Sequence, residues 1–290
     1  MARKLSWIAV VTVFLSVISF PSLGAPVALQ GSRPFTVEVP DGYKSGVAAP
    51  LLIALHGYTS SGAETEKYFQ MAPVASAHGI LYVYPDGTLD QGGARFWNAT
   101  PACCNFYKSK VNDEAFIMSI IDTVSKKYSV DPKRIYVVGH SNGGFMTNHM
   151  ACSNSDRIAA VASFAGEQYA NIKSCKASKP ISVLQIQGTS DETINYKGGN
   201  LFGNSYPGAE KTASMWATLD KCKAKPVKSS TKLDIDSSIT GSETTVSKYL
   251  GCSSKTSVEL WTINGGAHVP TLVPDFAEKI VNWLLSHPKS

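Results

Sequence analysis

Residues 134–151, RIYVVGHSNGGFMTNHMA, decide how the rest of the chain is read. Residues 135–138 form a short apolar run rich in β-branched side chains, the pattern of a strand buried on both faces. The run stops at Gly139-His140-Ser141-Asn142-Gly143, a G-x-S-x-G pentapeptide, and an amphipathic stretch with Phe145, Met146 and Met150 follows. A strand that turns sharply into a helix strains its central residue, and the neighbours must lack side chains to fit the crowded turn. The pattern therefore holds Ser141 exposed at the carboxyl end of a strand, as a candidate nucleophile.

Outward from this stretch, short apolar strands alternate with amphipathic helices. Residues 35–39 alternate apolar and polar and predict an early antiparallel strand closed by Pro40-Asp41-Gly42. Strands are expected over 51–55, 80–84, 158–164, 181–187 and 258–263. The spacing of Tyr68, Met71, Ala72 and Ala75 predicts one helix over 63–78, stopped by Gly79. A second runs over 113–128 with Phe116, Ile117, Ile120, Ile121 and Val124 on one stripe, before Asp131-Pro132 leads into the serine strand; a last one covers 276–285. This alternation predicts an α/β fold, a mostly parallel twisted sheet with helices on both faces. Ligands in such sheets bind beyond the carboxyl ends of the strands.

A hydroxyl needs a base to take its proton, and the base needs an acid to orient it. Asp191 follows the end of the 181–187 strand, and His268 follows the end of the 258–263 strand. Ser141, Asp191 and His268 occur in the chain order Ser, Asp, His that this class of sheet enzyme uses. Glu192 is the alternative acid. His56, His78, His149 and His287 are rival bases, of which His78, His149 and His287 read as surface or packing residues, whereas His140 lines the turn and is a substrate-binding candidate. Two backbone amides are expected to meet the oxyanion, that of Asn142 after the serine and that of Tyr58, beside Gly57. A histidine base must be neutral to act, so activity should fall as pH drops through about 6.5.

Composition bounds the rest. The 290 residues suffice for one large domain, charged residues are 17 % and net charge is +5 without a dense basic run, so nucleic acid is not an expected partner. Arg3 and Lys4, an apolar run over 5–20 and small residues at Ser22, Gly24 and Ala25 read as an export signal, residues 1–24, ahead of a single domain over 25–290. The expected location is secreted or periplasmic, with no stable membrane association after cleavage. Six cysteines beyond the leader suit disulfides in an exported chain. Cys222 with Cys252 is the most natural pair. Cys152 with Cys175 would leave Cys103-Cys104 as a vicinal bridge, or one of that doublet could reach Cys152. No C-x-x-C spacing or clustered histidine pair favours a metal.

The segments LHGYTSSG, YPDG, FWNATPACC, VNDEAFI, GHSNGG, GTSDETINYKGG and WTINGGAH together resemble the polyhydroxybutyrate depolymerase family of secreted esterases, which includes feruloyl esterases. The matches run in order over 35–283. The resemblance implies an α/β-hydrolase fold, no cofactor, and hydrolysis of carboxylic esters through an acyl-enzyme by Ser141, Asp191 and His268. It adds Trp97 and the Cys103-Cys104 doublet as a loop near the pocket, and Tyr196 on its border. The expected substrate is a soluble polyester oligomer or a feruloylated or acetylated saccharide. The chain stops soon after its last predicted helix, without the linker and binding module that polymer-degrading relatives often carry, which argues against solid polymer. A peptidase or a binding protein with a dead site on the same scaffold are the other readings.

Overall fold

The computed structural model describes residues 27–29 and 33–290. The leader expected at 1–24 lies outside these residues. Strands β1 (Val27–Leu29) and β2 (Phe35–Glu38) pair antiparallel ahead of β3 (Ala49–Leu55), every residue of which is buried. Leu51, Ile53 and Leu55 enter the core on one face of the sheet, and Leu52 and Ala54 enter the other. A fully buried aliphatic side chain contributes about 1.5–3 kcal/mol. A one-residue slip would exchange the two sets, so packing fixes the register.

Two helices follow, α1 (Gly62–Phe69) and α2 (Met71–Ala77), where the sequence predicts one. The break falls at Gln70, which is left-handed with φ 53°. Pro73 explains it: proline has no N–H for the carbonyl of Phe69, and its ring would clash with that oxygen in a continuous helix. The Glu66 carboxylate accepts the Ala72 N–H at 2.9 Å and caps the new start.

The chain continues through β4 (Leu81–Val83), the small hairpin β5 (Thr88–Leu89) and β6 (Arg95–Phe96), α3 (Asp113–Lys127), β7 (Val130–His140), α4 (Asn142–Ser153), β8 (Ala160–Phe164) and β9 (Ser182–Gly188). β7 starts earlier than its apolar core, because Val130 already pairs with Ala49 before a register shift brings Ile135 opposite Leu51. Then come hairpin β10 (Gly198–Leu201) and β11 (Asn204–Pro207), α5 (Ala209–Leu219), β12 (Val227–Lys228), β13 (Thr244–Tyr249), β14 (Val258–Ile263) and α6 (Phe276–Leu285).

Ten strands form one sheet in the order β1-β2-β4-β3-β7-β8-β9-β14-β13-β12. The six from β4 to β14 are parallel, with antiparallel strands added at each edge. Helices α3, α4 and α5 cover one face, and α1, α2 and α6 the other. The Ser/Thr-rich span between Cys222 and Cys252 holds an edge of the sheet, with β13 paired to β14 along its whole length. The disulfides are Cys103–Cys104, Cys152–Cys175 and Cys222–Cys252, the first of the pairings left open by the sequence. Among the described residues no helix is long and apolar enough to cross a membrane.

Candidate active site

Ser141 sits between β7 and α4 with φ 57° and ψ −121°, a strained conformation for a residue with a side chain. A Cβ on Gly139 would collide with the Gly143 carbonyl, and one on Gly143 with the Leu55 carbonyl. Both glycines are therefore required by close approach, and the turn can form only with this spacing.

β9 and β14 are adjacent and parallel, so their carboxyl ends lie side by side and bring the loops that follow them together. Asp191 and His268 meet across those loops, with Nδ1 of His268 2.8 Å from Asp191 Oδ2. Nε2 of His268 lies 2.9 Å from Ser141 Oγ. Asp191 is buried, and its carboxylate accepts from Gln187 Nε2 at 2.8 Å and from the Thr193 and Ile194 amides at 2.9 and 2.8 Å. Those donors fix the carboxylate so that one oxygen faces the imidazole. Since Asp191 can only accept, Nδ1 of His268 carries the proton and Nε2 is the free acceptor facing the serine.

The rival groups are occupied elsewhere. His78 pairs with Glu278, His149 with Glu114 and Tyr169, and His287 with the Trp283 carbonyl, while Glu192 is exposed. His56 is buried, which lowers its pKa, and it accepts the Gly87 amide at Nε2 while Nδ1 donates to the Gly57 carbonyl. It thereby braces the loop after β3. In that loop, a Cβ on Gly57 would sit 3.4 Å from the Ser141 Cβ, so the backbone runs directly beside the serine. The Thr59 amide donates to the Arg95 carbonyl, leaving the neighbouring Tyr58 amide uncommitted to any acceptor among the described residues. Asn142 is the first residue of α4, where helices leave their amides unpaired. Both amides chosen from the sequence are thus available beside Ser141.

Of three residues read as substrate contacts, Trp97 and His140 are buried against backbone partners, whereas Tyr196 faces a groove. Trp97 is fully buried; its backbone N–H and carbonyl pair with the Asn142 side chain at 2.7 and 3.0 Å, and its indole N–H donates to the His56 carbonyl. It supports the Ser141 turn from below, and an indole surrounded by core side chains has no open face for a ligand. Tyr196 bonds Thr262 and Glu210 and lines a groove of about 630 Å³ over β13 and β14. His140 is buried, with Nε2 2.8 Å from the His268 carbonyl, so it is turned to the backbone of His268.

A different cleft, about 610 Å³, opens between the 98–109 loop with the Cys103–Cys104 bridge and the tip of the β10–β11 hairpin. Phe202 at that tip is 81 % exposed and packs on Phe106 at 4.6 Å between ring centres, and Phe106 packs on Tyr58 at 5.1 Å. The loop is anchored from below by Asp113, whose carboxylate accepts the Asn98 amide at 2.7 Å and pairs with Arg33 at 2.5 Å. Among the described residues no three His, Cys, Asp or Glu side chains converge as a metal site.

The sequence reading missed Glu167. It follows β8, is fully buried, feels the charge of Asp191, and has both carboxyl oxygens unpaired. Burial pushes its pKa up to about 8. The rule that found Asp191 and His268, a polar residue just past a strand end, applies equally to Phe164-Ala165-Gly166-Glu167.

The family model described as "Putative esterase" matches residues 27–259. The chain belongs to this esterase family. Over 244 residues this esterase is 31 % identical to feruloyl esterase B of Piromyces equi, an alignment covering 81 % of this chain and 42 % of that one. It is 30 % identical over 195 residues to poly(3-hydroxyalkanoate) depolymerase C of Paucimonas lemoignei, covering 64 % and 44 % of the two chains. The matches thus span less than half the length of these relatives. An acetyl xylan esterase from Aspergillus awamori superposes with a TM-score of 0.64 at 16 % identity, over 90 % of this chain and 99 % of that one, a likeness of fold. The fold is that of α/β-hydrolase esterases.

Proposed function

We propose that the protein is a secreted serine carboxylic-ester hydrolase that works through an acyl-serine. The observation that carries this reading is the unbroken relay from Asp191 through His268 to Ser141, at 2.8 and 2.9 Å. Nε2 of His268 takes the Ser141 proton as Oγ attacks the ester carbonyl, and the charge on the imidazolium is balanced by Asp191. The carbonyl oxygen becomes an oxyanion held by the Tyr58 and Asn142 amides. Collapse expels the alcohol, which leaves with the proton from His268. Water then enters, His268 takes its proton, and the acyl-serine is cleaved to acid and free enzyme.

Soluble polyester oligomers or related esters are the proposed substrates, in keeping with the relative named a depolymerase. A second reading, release of feruloyl or acetyl groups from plant polysaccharide, is favoured by the relative named feruloyl esterase and by the Tyr58, Phe106 and Phe202 rings beside the 610 Å³ cleft. Removal of residues 1–24 on export, leaving one catalytic domain, is part of the proposal and accords with the disulfides. The decisive experiment is labelling with paraoxon together with turnover of p-nitrophenyl esters. Wild-type protein should be labelled at Ser141, and Ser141→Ala should lose on the order of 10⁴-fold or more in turnover. An unlabelled, inactive wild type would sink the reading. Comparing methyl ferulate with hydroxybutyrate oligomers then separates the two substrate classes.

A further inference from the structure

His140 occupies a place that neither the fold nor the relay requires of a histidine. It ends β7, directly before Ser141, and its ring is wedged between Phe164 at 5.2 Å, Tyr68 at 5.5 Å and the His268 ring at 4.9 Å. Its Nε2 donates to the His268 carbonyl at 2.8 Å. A carbonyl only accepts, so this contact fixes the tautomer with the proton on Nε2. The opposite nitrogen faces the loop after β3, 3.6 Å from where a Cβ of Gly57 would lie. One imidazole therefore bonds the segment carrying the base and lies beside the segment carrying the Tyr58 amide, and it directly precedes Ser141 in the chain.

The loop that bears His268 is pinned at both ends by its neighbours in the fold. At its start, Gly265 donates to Thr189 Oγ1 at 2.7 Å and the Gly266 carbonyl accepts from Ser190 at 2.9 Å. At its end, Thr271 donates to Asp236 at 3.2 Å. Between them stand two carbonyls, that of His268 gripped by His140 and that of Pro270 gripped by the Tyr68 hydroxyl at 3.0 Å. Val269 between these carbonyls is 59 % exposed and contributes little packing.

Resting on the assignment of His268 as the base, we infer that His140 and Tyr68 are positioning residues that clamp the backbone of the base loop, holding the His268 ring on the line between Asp191 and Ser141. Burial, and secondarily the neighbouring His268, keep His140 neutral, pushing its pKa down to about 4. A neutral ring suits the task, because a second positive charge 4.9 Å away would oppose formation of the imidazolium on His268.

The test uses His140→Leu, which removes the donor while keeping bulk, His140→Gln, which keeps an N–H at similar reach, and Tyr68→Phe, which removes one hydroxyl. Misplacement of a reacting group by about 1 Å can cost on the order of 100-fold in rate. His140→Leu should lower kcat for p-nitrophenyl esters and the paraoxon inactivation rate by about 10- to 100-fold, with KM changed less than about threefold. His140→Gln should recover most of that loss. Tyr68→Phe should lower kcat several-fold, and its effect should not add simply to that of His140→Leu, as for residues acting on one element. A His140→Leu enzyme that melts earlier but keeps the wild-type kcat and inactivation rate overturns the inference, as does equal impairment in the Leu and Gln variants. If His140→Leu does not fold, Tyr68→Phe decides: an unchanged kcat overturns the clamp. Wild-type protein that paraoxon fails to label at Ser141 sinks the esterase reading instead, so the two failures are distinct.

Discussion

The parallel centre of the sheet and its antiparallel β13 edge are built on opposite principles. In the centre, β3, β8 and β9 are buried along their whole length, and their side chains divide between two cores. At the edge, β12 is exposed and β13 mixes buried, half-buried and exposed positions, while the disulfide Cys222–Cys252 ties α5's end to the far side of β13. Chemistry hangs from the ends of the centre, where packing fixes atoms closely. The edge shapes the grooves around it. Perturbing the centre should therefore cost rate, and perturbing the edge should cost stability.

The largest expected effect is at Asp191. Asp191→Asn keeps the shape of the side chain but offers an amide where His268 needs an acceptor, which favours the tautomer with its lone pair facing away from Ser141. Turnover should fall on the order of 10⁴-fold with little change in melting temperature. A loss of less than tenfold would break the contrast, since it would mean that the centre does not orient the base.

Glu167 is where the centre departs from its own principle, being a buried carboxyl with no charged partner, approached by the Thr212 side chain alone among the groups that would lower its pKa. Its folded pKa is raised by burial from 4.5 to about 8, so between those values the folded protein holds a proton that the unfolded chain has lost. Stability must then decrease as pH rises through that window. At about 1.4 kcal/mol per pH unit the total is at most about 4–5 kcal/mol. Glu167→Gln removes the titration and should flatten the melting temperature between pH 5 and 8 on this account, gaining most at the alkaline end. An unchanged pH profile in the variant would show that the carboxyl already ionises without cost.

Legibility in the sequence follows the same division. Strands buried on both faces appear as unbroken apolar runs, and the serine turn as two glycines, so the centre and the residues at Ser141, Asp191 and His268 could be placed from the chain alone. β13 reads TTVSKY, whose polar side chains disguise a strand that pairs fully with β14. α5 was invisible for a different reason: Ala209, Thr212, Ala213 and Trp216 recur at helical spacing and are all buried, but three of the four are too small or polar to register as an apolar stripe. Trp97 and His140 could be singled out but not assigned, because whether an aromatic ring faces a cleft or a backbone carbonyl depends on packing between segments distant in the chain.

The smallest expected effect lies at the edge. Cys222 and Cys252 close a loop of 30 residues that contains β12 and β13, and a bridge of that span stabilises by about 3.5 kcal/mol, largely by restricting the unfolded chain. Replacing both with alanine should lower the melting temperature by several degrees. The variant should keep kcat on short p-nitrophenyl esters within about twofold below its transition, because β14 remains held by β9 in parallel register over six residue pairs and His268 follows directly from it. If turnover instead fell with stability, the edge would be setting the position of the base, and the division between a centre that aligns and an edge that encloses would fail at β14, the strand both regions share.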